Sequence, residues 1–349
     1  MTEATETESP RPLAHPLKRA EYPSVAVIIP CWNAEKWVAR AIQSVLDQDY
    51  PNLEVIVIDD GSTDGSLDVI RSFGDRIRWE TGPNRGACAA RNRGLALTEA
   101  EYVMFLDADD YLADKAIFRL AERSCALGAD GRIVVFGSVI RTGPVRKAAT
   151  ADHPTWISDG EIASKVWILL DGPRTTAPLH RRRYLQEVGG FEEGRPAGQE
   201  WDLHVRLMRN GVSFLHYDVP VCYYNQHNSP GRISNRPRSL HYWSDPLNVY
   251  QTLIAEGHQF TGNERKMLAY YLWGRGRVWA RQGRSDCKLL FDLARQLDPG
   301  LRIGNFGYRL ICSLSGPIWA ERLAVAKTKL SNFVSSPVPT IHGSSDSDC

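Results

Sequence analysis

The chain has 349 residues, of which 43% are hydrophobic, and its 42 basic and 41 acidic residues leave a formal net charge of +1. This length and composition predict a folded protein with one large core or two smaller ones, which we interpret as a catalytic domain and an extension. Because the charges nearly cancel, we expect no long-range field that gathers nucleic acid or a membrane surface. Any anionic ligand must therefore be held by local residues.

The 7 cysteines are scattered and never form a Cys-x-x-Cys pair. Their spacing argues against a disulfide framework and against a thiolate zinc site, and it favours a reducing cytoplasm. Residues 1–22 are rich in glutamate and proline and lack the basic start and apolar run of a secretory signal, so we expect a disordered tail.

Short apolar runs of strand length alternate with helical patterns in the first part of the chain. The predicted strands are 25–29, 53–58, 102–106 and 133–139, and the predicted helices are 38–46, 67–73 and 87–97. Strands that alternate with helices form βαβ units, which predicts an α/β fold with a mostly parallel central sheet. Ligands bind beyond the carboxyl ends of the strands in such a sheet, so the residues that follow each strand are candidates for chemistry.

The pattern becomes helical after about residue 235. We expect a helical extension over 236–334 and a disordered tail over 335–349, which is rich in Ser, Pro and Asp. The segment 306–330 mixes apolar side chains with arginine and lysine, and charged residues interrupt it too often for a membrane span. Two interpretations fit it: a helix that lies on a membrane surface, and an ordinary helix that packs its apolar side on the domain.

Three aspartates, Asp107, Asp109 and Asp110, follow the strand predicted at 102–106. Carboxylates packed at a strand end repel one another, and a hard divalent cation offsets that repulsion. Such a cation would bridge the two phosphates of a nucleotide diphosphate and neutralise the charge on the leaving group. A surface turn rich in aspartate fits the same residues.

The run 59–64, with the sequence DDGSTD, follows the second predicted strand. A carboxylate there can accept from the imide N–H of a pyrimidine, and Gly61 allows a tight turn. A turn with a helix N-cap also fits, and both interpretations can hold together. We assign Asp60 to the base and Asp64 to capping.

Two further segments offer contacts to a nucleotide. Trp32, after the first strand, can stack on a base or pack as part of the core. Residues 84–94 open a helix with small residues and with Asn84 and Arg91 as donors to a phosphate or a base, although an arginine-rich solvated face fits them as well.

Five segments in this order resemble the successive motifs of family-2 glycosyltransferases with the GT-A fold. They are 27–33 (VIIPCWN), 59–64, 84–94, 105–110 (FLDADD) and 189–203, which holds GGF followed by QEWDL. The resemblance covers roughly residues 24–235 and implies a nucleotide-sugar-binding half, 23–112, fused to an acceptor-binding and catalytic half, 113–235. It also implies a nucleotide-diphosphate sugar donor, with a UDP-sugar favoured, a Mg²⁺ or Mn²⁺ ion on Asp107 and Asp109, and inversion at the sugar.

The resemblance further implies a set of residues that bind the substrates. They are Pro30, Trp32, Asn33, Glu35, Asp60, Asn84, Gly86, Arg91, Asp107, Ala108, Asp202, His227 and Arg232. His227 and Arg232 resemble a closing motif in which His or Arg approaches the diphosphate or the metal, while a solvated loop histidine also fits. We expect a glycan or lipid-linked acceptor and no nucleic acid. His180 with the arginines 181–183 indicates a basic patch on the acceptor side.

The Glu-Asp pair of the family is Gln199-Glu200 in this chain, so the first acid is replaced by an amide. Glu200 is then expected to be the general base that takes the proton of the acceptor hydroxyl. Alternatively, Glu200 and Asp202 complement the positive end of the helix that begins there.

The sequence is compatible with two classes of function, a sugar-transferring enzyme and a binding protein. The sequence lacks both the several membrane spans and the Gln-x-x-Arg-Trp signature of processive polysaccharide synthases, which favours transfer of a single sugar. The changed Gln199-Glu200 pair leaves open a non-catalytic nucleotide-sugar-binding protein of the same fold.

Overall fold

The computed structural model describes residues 21–128, 131–142, 150–152, 157–227, 245–304 and 306–334. The chain divides into two compact units, residues 1–244 and 245–349. Most of the two expected tails, and the expected boundary between residues 235 and 236, lie outside the described residues.

The described part of the first unit contains nine strands in one sheet. They are β1 (Val25–Cys31), β2 (Leu53–Asp59), β3 (Arg78–Thr81), β4 (Tyr102–Phe105), β5 (Tyr111–Leu112), β6 (Ile133–Thr142), β7 (Thr150–Asp152), β8 (Pro178–Arg181) and β9 (Ser213–Asn225). Their order is β3-β2-β1-β4-β8-β6-β9-β5, with β7 paired to β6. The first four strands in this order are mutually parallel, and β9 is parallel to β6. β8 runs antiparallel to both of its neighbours.

The helices of this unit connect the strands. They are α1 (Val38–Leu46), α2 (Ser66–Arg71), α3 (Ala87–Leu97), α4 (Ala116–Ala126), α5 (Lys165–Leu170), α6 (Arg182–Glu187) and α7 (Gln199–Arg209). The predicted α/β fold with a mostly parallel central sheet is confirmed. The carboxyl ends of β1, β2 and β4 therefore meet at one edge of the sheet, where their following loops converge.

Helix α3 packs very closely on β1. All residues from Val25 to Ile29 are fully buried, and the buried side of α3 consists mainly of small residues. A Cβ atom added to Gly94 would lie 2.3 Å from Ile28 Cγ2, so a larger residue would force the helix away from the strand. This contact fixes the position of α3, which carries Arg91 and Asn92.

The described part of the second unit is helical, as the sequence predicts. Its helices are α8 (Pro246–Ala255), α9 (Gly262–Arg281), α10 (Cys287–Leu297) and α11 (Phe306–Val334). Thr261 and Glu264 form a reciprocal capping box at the start of α9. α11 is interrupted at Gly316, which has a φ of 82° and is followed by Pro317. None of the helices in the described ranges is long and apolar enough to cross a membrane.

Candidate active site

The loops after β1 and β2 are joined by hydrogen bonds between side chains and backbone. The Asn33 amide donates to Ser62 Oγ at 3.0 Å, and Asn33 Oδ1 accepts from the Thr63 amide at 2.8 Å. Glu35 Oε2 accepts from the Gly65 amide at 3.3 Å. Asn33 and Glu35, both predicted to bind substrate, thus have protein partners that link the two loops at this edge of the sheet.

Asp64 fastens the same two loops and the start of α2. Its carboxylate accepts from the Ser66 amide at 3.0 Å and from the Glu35 amide at 3.1 Å. Gly65 occupies the N-cap position, so Asp64 binds the first turn from one residue further out than the sequence predicts. Partial burial acts to raise the pKa of Asp64, but the hydrogen bonds from Ser66 and Glu35 outweigh it and lower the pKa below its usual value.

Asp60 holds the loop that precedes α3. Its two carboxylate oxygens accept from the amides of Arg85 and Gly86, each at 2.8 Å, and the residue is 6% exposed. Gly86 has a φ of 90°, which only glycine adopts without strain. Each carboxylate oxygen can accept a second hydrogen bond, so contact of Asp60 with a nucleobase stays a prediction. Asn84, two residues before Gly86, is exposed.

Trp32 lies at the end of β1 with 47% of its surface exposed. It is therefore not part of the core, and its ring is open to a ligand. Of the other residues predicted to bind substrate at these strand ends, Pro30 is half-buried and Ala108 is buried.

Three carboxylates converge just after β4. Asp107, Asp109 and Asp110 each offer one oxygen, and these oxygens lie within 4.8 Å of one another. Asp110 is 2% exposed and accepts from the Asn225 amide at 3.0 Å. A cluster of carboxylate oxygens is the donor set that Mg²⁺ and Mn²⁺ prefer, so these residues fit the predicted cation.

Arg91 connects this cluster to α7. Its guanidinium donates to Asp107 Oδ1 at 2.7 Å and to Gln199 Oε1 at 2.8 Å. The Phe191 ring centroid lies 5.1 Å from the guanidinium carbon. Two N–H groups of Arg91, which the sequence assigns to a ligand, thus donate within the protein, and they hold the end of β4 beside the first residue of α7.

Glu200 lies in the first turn of α7, directly after Gln199. Its side chain is half-buried, and its carboxylate forms no hydrogen bond or ion pair with any residue that the structure describes. A carboxylate in the first turn of a helix is stabilised by the unpaired amides and the dipole of that end. The Glu200 carboxylate, predicted to be the base, therefore has no polar contact with another side chain or backbone group among the described residues.

Asp202 has different surroundings. Arg195 donates to one of its oxygens at 2.8 Å, and Arg206 donates to the other at 2.9 and 2.8 Å. Arg206 also donates to the carbonyls of Val188 and Gly190. Asp202 thereby helps to fix the turn before α7, and its predicted contact with substrate stays a prediction.

Two contacts at the site were not predicted. Asn92 donates to the Phe191 carbonyl and accepts from the Phe191 amide, both at 2.8 Å. Trp37 stacks on His227, with ring centroids 4.7 Å apart, and His227 Nε2 lies 3.0 Å from Asp109 Oδ2. Asn92 stands in a recognised motif next to Arg91, which was a usable signal, whereas nothing in the sequence near Trp37 indicated its partner.

The expected basic patch on the acceptor side is wrong for its first two residues. His180 and Arg181 belong to β8 and are 1% and 8% exposed, and Arg181 pairs with Glu101 at 2.6 Å. Burial lowers the pKa of His180 to about 3, so this histidine is neutral near pH 7. Arg232 lies outside the described residues.

The sequence and the fold were compared with those of known proteins. Residues 26–183 match the model of glycosyl transferase family 2. A crystal structure of S. aureus TarS 1–349 in complex with UDP-GlcNAc has the same fold, with a TM-score of 0.52 and 19% sequence identity over 88% of this chain and 92% of that chain. Residues 26–183 thus match a family-2 glycosyltransferase domain, and the fold is of the GT-A type.

Sequence relatives cover parts of the chain. An uncharacterized glycosyltransferase of Haemophilus influenzae is 42% identical over 96 residues, which are 26% of this chain and 38% of that protein. An uncharacterized glycosyltransferase of Rickettsia felis is 28% identical over 236 residues, 65% of this chain and 38% of that protein. The succinoglycan biosynthesis protein ExoU of Rhizobium meliloti is 31% identical over 203 residues, 54% of this chain and 58% of that protein. The chain thus spans less than two thirds of the length of each of these relatives.

Proposed function

We propose that this protein transfers a single sugar from a nucleotide-diphosphate sugar to an acceptor hydroxyl, with inversion and with a divalent cation. The transferase domain would span residues 23–235. The bridge that Arg91 makes between Asp107 and Gln199 is the main support, because it joins the carboxylate cluster to the helix turn that carries Glu200. A metal-binding group and an uncommitted carboxylate are the two elements that an inverting transfer requires.

A UDP-sugar is the donor we favour. TarS, which shares the fold, was crystallised with UDP-GlcNAc. In our proposal the exposed ring of Trp32 stacks on the base, and Asp60 accepts from its imide N–H. When bound to Asp107 and Asp109, Mg²⁺ or Mn²⁺ would offset the charge of the diphosphate as it leaves.

Glu200 is the proposed general base. It would accept the proton of the acceptor hydroxyl while the hydroxyl oxygen attacks the anomeric carbon on the face opposite the diphosphate, which inverts that centre. The lack of a described protein partner for its carboxylate supports this role. His227, whose Nε2 lies next to Asp109, would close on the diphosphate side together with Arg232.

We propose a glycan or lipid-linked acceptor, as in the synthesis of a cell-surface polysaccharide. The name of the relative ExoU, a succinoglycan biosynthesis protein, supports this class. None of the six described cysteines is in a disulfide, which supports a reducing, cytoplasmic location.

The test measures nucleotide release and donor binding on the same preparations. Wild-type protein is incubated with a panel of UDP-sugars and candidate acceptors, with Mn²⁺ or with EDTA. Glu200→Gln should bind donor normally but release UDP about 10²–10⁴-fold more slowly, because only the transition state needs the base. Asp109→Ala should lose Mn²⁺-dependent donor binding itself.

Two exposed acids serve as controls. Glu99→Gln and Asp114→Asn, which lie outside the proposed site, should behave like the wild type. Donor binding by the wild type without release of UDP in any combination would contradict the enzyme and leave the non-catalytic binding protein. Full activity of Glu200→Gln would remove Glu200 from the mechanism.

A further inference from the structure

Helix α11 carries large apolar side chains that contact solvent. Leu310 and Leu314 are 47% and 76% exposed before the interruption at Gly316, and Trp319 and Leu323 are 55% and 49% exposed after it. Residues four apart lie on the same side of a helix, so each helical segment presents one apolar pair. Single exposed apolar residues are normal, but two such pairs on one helix are not explained by chance exposure.

A different side of α11 already has the packing of an ordinary helix. Cys312 and Ala320 are buried, and Glu321 has no exposed surface. Glu321 accepts from Arg277 at 2.5 Å and from Arg281 at 2.6 Å, both of which belong to α9. The interpretation of α11 as a helix packed on its neighbours therefore accounts for these residues but not for the exposed pairs.

Most of the charged residues of α11 are basic. Between residues 306 and 334 the only acid is Glu321, while the bases are Arg309, Arg322, Lys327 and Lys329. Glu321 is buried against two arginines, so its negative charge is neutralised within the unit. Arg309 is exposed next to Leu310. Among the side chains of α11 whose burial the structure describes, apolar groups and the Arg309 guanidinium are therefore exposed, whereas the Glu321 carboxylate is buried.

We propose that α11 docks on the surface of a membrane that contains anionic lipids. The two apolar pairs would enter the boundary between headgroups and acyl chains, with the helix parallel to the surface, and the exposed Arg309 would meet lipid phosphates. A tryptophan suits this depth, since its ring is apolar and its N–H can reach water. Docking of this kind is independent of the proposed sugar transfer.

The positive charge of α11 favours a lipid surface over a second copy of the chain as the partner that covers the helix. Two copies that paired through α11 would bring their basic residues together, and like charges across an interface oppose association. Anionic headgroups instead complement them and raise the local concentration of the protein at the membrane.

The test is co-sedimentation of the full chain with vesicles. Wild-type protein should pellet with vesicles of phosphatidylglycerol and phosphatidylcholine, much less with phosphatidylcholine alone, and less at high salt, which screens the attraction. Leu314→Glu should lower the partition coefficient at least about tenfold, since a leucine that leaves water is replaced by a charge. Arg309→Glu should remove most of the preference for phosphatidylglycerol.

Leu289→Glu on α10 is the matched control, because Leu289 is 55% exposed but lies on a different helix. This variant should bind vesicles as the wild type does, and circular dichroism should show that all variants keep their helices. Failure of the wild type to pellet with phosphatidylglycerol vesicles, or an equal loss in Leu289→Glu, would overturn the proposal. A dimer in light scattering that Leu314→Glu dissociates, without vesicle binding by the wild type, would mean that a second copy covers α11.

Discussion

Arg91 and Asp107 form an ion pair of 2.7 Å in which the arginine side chain is 6% exposed and the aspartate side chain 35% exposed. The pair therefore has one face towards the protein and one towards solvent, where a ligand can approach. Because the same guanidinium also binds Gln199, its position determines how the carboxylate cluster and the first turn of α7 are aligned.

Arg91→Lys should reduce turnover by about 10²-fold, because an ammonium keeps the charge but cannot span both acceptors, and small misplacements of reacting groups are costly. Donor binding should weaken much less. Steady-state rates at saturating donor and a thermal-shift titration with donor and Mn²⁺ separate the two effects. Arg93→Lys on the same helix is the control, since Arg93 pairs only with the half-buried Glu80 among described residues. Wild-type turnover in Arg91→Lys would contradict the alignment role.

Trp32→Ala should weaken binding of the nucleotide by about 1–3 kcal/mol while leaving the free energy of unfolding nearly unchanged. The reason is that the ring is 47% exposed and open to a base. Isothermal titration with UDP and a urea melt measure the two quantities. Trp32→Phe, which keeps a stacking surface, should recover most of the affinity, and a variant that binds normally would exclude the stacking contact.

Gly190→Ala should destabilise the protein more than Gly189→Ala. Both glycines have a positive φ, 68° and 76°, so backbone strain is common to the two variants. A Cβ on Gly190 would lie 2.5 Å from Asn92 Oδ1, whereas one on Gly189 would meet nothing within 4 Å. Loss of the Asn92 contacts with Phe191 should add about 1–3 kcal/mol to the cost. Urea denaturation of both variants tests this difference, and equal stabilities would show that Asn92 simply moves aside.

Stability should fall in acid because of the buried pair His180 and His204, whose rings stack 5.5 Å apart. Burial lowers the pKa of His180 from 6.5 to about 3, and burial with the neighbouring His180 lowers the pKa of His204 as well. Below pH 6.5 the unfolded chain binds protons that the folded chain does not. The contribution of these two histidines to the free energy of unfolding is therefore fully present above pH 6.5. It is lost as the pH falls towards 3, by up to about 1.4 kcal/mol per pH unit for each histidine.

His180→Leu isolates this contribution. The variant removes one of the two groups, so the difference between its unfolding free energies at pH 7 and pH 5 should be smaller than that of the wild type. Urea melts at the two pH values provide the comparison. An unchanged difference would mean that His180 binds protons in the folded protein as readily as in the unfolded chain.

The sequence predicted the strands and helices whose side chains follow a simple period. The residues 25–29 are an uninterrupted apolar run, and β1 is the fully buried strand that such a run indicates. The sequence did not predict β8, because this strand has only four residues, Pro178–Arg181. Two of these, His180 and Arg181, are usually found at the surface. Their burial depends on a neutral histidine and on Glu101, which pairs with Arg181 from a distant part of the chain.

The candidate site could be predicted where the chemistry is local. The aspartates that follow β4 were identified because they stand directly after a predicted strand, and Glu200 because it stands in a short segment that resembles a motif of the family. Contacts made across the fold could not be predicted, since Asn92 and Phe191 are 99 residues apart in the chain. The stacking of Trp37 on His227 is of the same kind.

The close approach of Gly94 to Ile28 makes the geometry of the candidate site depend on a buried position between a helix and a strand. Any side chain at residue 94 would push α3 outward, because the first added carbon would already overlap Ile28. Arg91 and Asn92 would travel with the helix and lose their reach to Asp107 and Phe191 together. A single methyl group at residue 94 would thus weaken two contacts at once, that of Arg91 with Asp107 and that of Asn92 with Phe191.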